Sequence, residues 1–166
     1  MNDLFNLDTL HQQAQHYAND LAQKQAAKGF SFIKLHCYTD QDGTPIYWKI
    51  RLKNLATGEK WIRSFASGEH GFVMKEPEDY KAAYPDGNGK KPLYALDRIS
   101  QAPADADVWI FEGEQKADLA NDLGLYATTC GGSQSINRTH LEPLAGRKVV
   151  IWPDNDEAGT HCLDDL

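Results

Sequence analysis

The stretch VWIFEGEQKADLANDLGLYATTCGG, Val108–Gly132, decides the fold. Its first four residues are an unbroken apolar run that ends in Glu112 and Gly113, the pattern of a short buried strand. EQKADLANDLG follows with helix-forming residues and a glycine stop at Gly124. LYATTCGG then reads as a second strand running into a glycine turn. Beyond it, INRTHLEPLAG offers a short helix and KVVIWPD a third strand. Strands alternating with helices predict an α/β unit whose parallel sheet is covered on both faces.

Upstream the pattern changes. In IYWKIRLK the residues Ile46, Trp48, Ile50 and Leu52 alternate with Tyr47, Lys49, Arg51 and Lys53, a period of two. FIKLHCY before it and KWIRSF after it supply partner strands, with TDQDGTP and LATGE as turns. The prediction is a three-stranded antiparallel meander over residues 31–65. Residues 8–28 predict a helix capped by Asp8 and stopped by Gly29, with Leu10, Ala14, Tyr17, Ala18 and Leu21 on one side. Residues 66–91, rich in glycine, proline and charge, read as a long loop or linker. KPLYALDRI is a short ordered segment, and SQAPADAD marks the boundary. The expected organisation is residues 1–100 as a helix, an antiparallel β-element and a linker, and residues 101–166 as the α/β domain.

The chain has 166 residues, 41% hydrophobic and 25% charged, enough for one core or for a domain with an appendage. No apolar run reaches the length of a membrane span, and the N-terminus lacks the basic-then-apolar layout of a signal peptide. The expectation is a cytoplasmic protein with no membrane partner. Cys37, Cys130 and Cys162 stand far apart without a CxxC pair, so reduced thiols are expected. Residues 1–100 hold 13 Lys and Arg against 12 Asp and Glu, net +1; residues 101–166 hold 4 against 12, net −8. A protein that merely coats DNA would be basic throughout. An acidic half either holds cations or forms a solvated surface.

Ligands of such sheets bind beyond the carboxyl ends of the strands. Two predicted strands end in acid: VWIFEG delivers Glu112, and VVIWPDND delivers Asp154 and Asp156. On neighbouring parallel strands the three carboxylates meet at one edge, where they repel one another unless a cation or a proton is shared. Hard oxygen donors with room for water suit Mg²⁺. An Asp-x-Asp after a strand is also an ordinary solvated loop or helix cap, and spacing alone leaves both readings open.

The two segments IFEGEQKADLANDLGLYATTCGG and VVIWPDNDEAGTHC together resemble the Toprim domain shared by bacterial-type primases and topoisomerases. FEGEQKAD with PDNDEAG is similar to the phage and plasmid primase branch, often fused to a helicase, and the resemblance covers residues 107–166. YTDQDGTPIYWKIRLKN and KPLYALDRI look, more loosely, like the segment that precedes Toprim there. The resemblance implies that Glu112 is a general acid/base in nucleotidyl transfer. It implies that Asp154 and Asp156 bind Mg²⁺ or Mn²⁺, and that Gly113, Gly131, Gly132 and Gly159 are turn glycines. The implied function is DNA primase-type nucleotidyl transfer in phage or plasmid replication. The partners would be single-stranded DNA, ribonucleotides and a replicative helicase.

Three features depart from the family. No zinc-binding cysteine set precedes the domain; Lys116 stands four positions after Glu112, where some relatives carry an acid; and the pattern stops one strand short. The last point implies a C-terminally truncated domain with little activity by itself. Two alternatives remain: a Toprim nuclease using the same acids with water, and a non-catalytic module that binds nucleic acid or a replication partner.

Tyr47, Lys49, Arg51 and Lys53 could track a nucleic-acid backbone, with Tyr47 stacking on a base, or form the wet face of a half-buried sheet. CGGSQS could cradle a phosphate ahead of a helix from Ile136, or be a plain turn. The six histidines read as surface or local packing residues, and Trp48, Trp61, Trp109 and Trp152 as core.

Overall fold

A computed structural model describes residues 3–131 and 133–154. The chain divides into two units, residues 1–38 with 44–78, and residues 39–43 with 79–166. The fold is mixed α/β: a four-stranded sheet with antiparallel pairing in the first unit, and a separate parallel three-stranded sheet with helices in the second.

In the first unit helix α1 spans Asp3–Ala26, and the sheet runs β1 (Phe30–Thr39), β2 (Pro45–Asn54), β3 (Lys60–Gly68) and β4 (Gly71–Val73), in that spatial order. The helix begins earlier than expected, so Asp8 lies inside it. Its predicted stripe is the one that packs: Ala14, Ala18 and Leu21 are buried with Phe30, Trp48, Ile50, Leu52 and Phe65, and Leu10 and Tyr17 lie against them. Full burial of each large side chain here is worth about 1.5–3 kcal/mol. Tyr17, Trp48, Phe65 and Phe72 form an aromatic cluster with ring centroids 4.9–5.8 Å apart. The indole N–H of Trp48 donates to His11 Nδ1 at 3.2 Å, which satisfies a polar atom that burial would otherwise leave costly.

Gly29 leaves the helix at φ +83°, and a Cβ there would stand 2.8 Å from Asn54 Nδ2. The backbone angle is the one that favours glycine, while a Cβ would oblige only the end of the Asn54 side chain to shift. Asn54 itself closes the β2–β3 turn by accepting from the amides of Ala56 and Thr57. The meander gains a strand that the pattern hid. Gly68 pairs with Gly71, and Phe72 and Val73 fold back on Ser67 and Ala66, inside what reads as linker. Three residues are too few to display a period of two.

In the second unit the strands are β5 (Val108–Phe111), β6 (Tyr126–Thr128) and β7 (Val149–Trp152), parallel in the order β6-β5-β7. Helix α4 spans Glu114–Asp122, and α2 (Tyr80–Ala83) and α3 (Leu96–Gln101) precede the sheet. INRTHLEPLAG does not form the expected helix; 3-10 turns at Ser133–Arg138 and Glu142–Leu144 take its place. Val108 and Ile110 point to a core built with Leu93, Ile99, Cys130, Ile136 and Leu144. That core moves the expected boundary at residue 100: Leu93 and Ile99 belong with the parallel sheet. The Tyr94 amide donates to Thr129 O at 3.2 Å, and the Thr128 hydroxyl donates to Tyr94 O at 2.6 Å. Arg98 donates to the carbonyls of Asn121, near the end of α4, and Leu125, just beyond it.

The sheet's other face carries Trp109, Phe111 and Trp152, whose rings lie 6.1–6.4 Å apart. Trp152 is 58% exposed, so the expectation that it is a core residue fails. It is the last residue of its strand, where coverage by described residues has thinned.

Candidate functional site

The register of the parallel sheet sets the candidate site. Phe111 pairs with Trp152 and Ile110 with Thr128, so the chain leaves all three strands at the same edge. Glu112 and Gly113 follow β5, Thr129 to Gly131 follow β6, and Pro153 and Asp154 follow β7. Because β5 is central, its loop lies between the other two.

Gly113 makes that exit possible. It sits at φ +92°, ψ 153°, backbone that other residues adopt only under strain, and it is the N-cap of α4. Its amide donates to Thr129 Oγ1 at 3.1 Å, and the Gly131 amide donates to the same oxygen at 2.9 Å. One buried hydroxyl thus ties the β5 and β6 exits together. Sequence reading gave Thr129 no role, since a threonine at a strand end is unremarkable by propensity. A second tie comes from Tyr94, whose hydroxyl donates to Asp118 Oδ1 at 2.7 Å, linking the segment before α3 to α4.

Glu112 continues the parity of Val108 and Ile110, the buried side of β5. Its Oε2 is buried and, among the described residues, has no hydrogen-bond partner. A buried carboxylate oxygen without a protein partner is costly. Glu114 is buried in the first turn of α4, where the helix dipole favours a carboxylate.

Asp154 is partnered from the same helix: Lys116 Nζ donates to Asp154 Oδ1 as an ion pair. Asp156, Gly132 and Gly159 lie outside the described residues. Among the described residues no group of three His, Cys, Asp or Glu side chains is placed to hold a metal ion. The donors that are described, Glu112 with its unpartnered oxygen and the partly exposed Asp154, are hard carboxylates of the type that Mg²⁺ and Mn²⁺ accept.

The other candidates are placed differently. Tyr47 is 0% exposed and its ring stacks on Tyr38 at 4.3 Å, so the protein already occupies the surface that a base would need. Lys49 is buried, with its ammonium 5.4 Å from the centre of the Tyr38 ring. Arg51 and Lys53 are half-buried. The strand alternates in sequence but is covered on both sides along most of its length, as a central strand can be. The glycine turn after β6 leads into a 3-10 turn, so there is no α-helix N-terminus to receive a phosphate at Ile136. Cys130 is buried and Cys37 half-buried. No helix among the described residues is long and apolar enough to cross a membrane.

Comparison with known protein families, with curated proteins and with solved structures finds no match to this chain.

Proposed function

We propose that this chain carries a Toprim-like site of the phage and plasmid primase type, acting in nucleotidyl transfer from ribonucleotides on a single-stranded DNA template. The observation that carries the reading is Glu112. It leaves the central strand with a buried, unpartnered carboxylate oxygen, next to the strand whose exit bears Asp154.

In this reading Asp154, with Asp156 from the same sequence motif, holds Mg²⁺ or Mn²⁺, which would neutralise phosphate charge, and Glu112 beside them serves as general acid/base toward the attacking hydroxyl. Thr129 and Gly113 hold the loop in position, and placement matters: a shift of about 1 Å can cost on the order of a hundredfold in rate. A replicative helicase as partner follows from the same resemblance.

The test is incorporation of labelled ribonucleotides on single-stranded DNA with Mg²⁺ or Mn²⁺, comparing wild type with Glu112→Gln. Metal-dependent product that is lost in the variant supports the reading. Cleavage of DNA in place of synthesis, with the same dependence on Glu112, would assign a nuclease. Binding of DNA without any product, unchanged by Glu112→Gln, would leave a nucleic-acid-binding module.

A further inference from the structure

Lys116 stands where the helix does not favour it. It is the third residue of α4, in the first turn, and a cation there opposes the positive end of the helix dipole. Its side chain is nonetheless directed to one carboxylate, Asp154, at the exit of the neighbouring strand. The pair is half open to solvent, with Lys116 50% and Asp154 32% exposed, so either partner can be exchanged without unfolding anything. Glu112, two residues before the helix, has an oxygen unsatisfied among the described residues, whereas Asp154 has a cation of its own.

We propose that Lys116 is an internal counter-cation that competes with the divalent ion for Asp154 and sets the affinity of the site for metal. The inference rests on the metal-site reading above. An ion that approaches Asp154 must displace the ammonium and tolerate its charge nearby, and both effects weaken binding. Once displaced, the ammonium remains beside the cation as a free positive charge on a flexible stem, suited to a phosphate oxygen of an incoming nucleotide. Metal and polyphosphate would therefore favour each other's binding.

The experiment is a Mn²⁺ titration followed by water-proton relaxation, with thermal melting as a second readout, on wild type, Lys116→Gln, Lys116→Arg, Asp154→Asn, Glu112→Gln and Lys116→Gln with Asp154→Asn. Lys116→Gln is expected to tighten Mn²⁺ binding roughly fivefold, the upper end of what a partly exposed ion pair contributes. Lys116→Arg keeps the charge and should stay near wild type. The gain should vanish when Asp154→Asn is also present. Circular dichroism confirms that each variant is folded. Equal affinity in wild type and Lys116→Gln, with Asp154→Asn weaker than both, overturns the role of Lys116 and leaves the metal site standing. Equal affinity in wild type, Asp154→Asn and Glu112→Gln removes the metal site, and the proposal with it.

Discussion

Thr129→Val should loosen the candidate site without opening a cavity, since valine matches threonine in shape. What is lost is one oxygen that accepts from Gly113 N at 3.1 Å and from Gly131 N at 2.9 Å, in a residue only 1% exposed. A typical hydrogen bond contributes about 1 kcal/mol net, and a buried donor left without a partner costs about 1–3 kcal/mol. Both glycines are half-buried, so water can replace part of the loss and the low end applies to each. The sum is about 2 kcal/mol, roughly a thirtyfold fall in the ratio of folded to unfolded unit. With two units in the chain, a whole-molecule melt would blur the effect. Cys130 offers a local probe, being a cysteine buried in the core of the parallel sheet. Pulsed alkylation in a urea series, read at that cysteine by mass spectrometry, gives the stability of this unit alone. Thr129→Ser keeps the acceptor and loses only a methyl group, so it should cost clearly less. A loss under about 0.5 kcal/mol in Thr129→Val, or an equal loss in both variants, would refute the assignment of the two bonds as the tie between the strand exits.

Trp48→Ala should destabilise the first unit by about 3–5 kcal/mol, because it empties the space against Phe65 and Phe72 and leaves His11 without its donor; denaturant unfolding followed by circular dichroism measures it. The Glu78 carboxyl is held below its ordinary range by the hydrogen bond from Lys75 and then by that residue's charge. The pair's small contribution to stability is therefore present above the ordinary glutamate pKa and is lost as pH falls through the lowered one. A carbon-detected NMR titration should find the low midpoint in wild type and an ordinary one in Lys75→Met. If the β-element meets single-stranded DNA through Arg51 and Lys53, replacing both with serine should reduce the slope of log affinity against log salt by about 1.4, at about 0.7 per cation. An unchanged slope retires that surface, and Lys49 should be left intact because its burial beside Tyr38 makes it part of the packing.

Periodicity determined the long helix α1, the strands β1 to β3 and one apolar face of α1 and of β2, but not the short β4 or the 3-10 turns that replace the expected helix. Ala14, Ala18 and Leu21 pack as the helical stripe implies, and Trp48, Ile50 and Leu52 as the strand pattern implies. The order of β5, α4, β6 and β7 was legible because each is a local run bounded by a turn residue. The sequence also marked Glu112 and Asp154 as acids at strand ends, since a strand's end is a local property. It did not reveal the partners of those acids. Lys116 and Asp154 are 38 residues apart, Gly113 and Thr129 16 apart, and no local pattern encodes which side chain a neighbouring strand brings alongside. The same reason hid the burial of Tyr47. Alternation with lysine and arginine reads as a wet face, but whether the second face of a strand is covered depends on what tertiary packing lays against it, here the ring of Tyr38. Leu93 and Ile99 likewise read as an isolated segment until the parallel sheet gave them a core to enter. Local sequence thus set the longer elements and their main apolar sides, while register and packing between distant segments decided the short pieces and which polar groups meet.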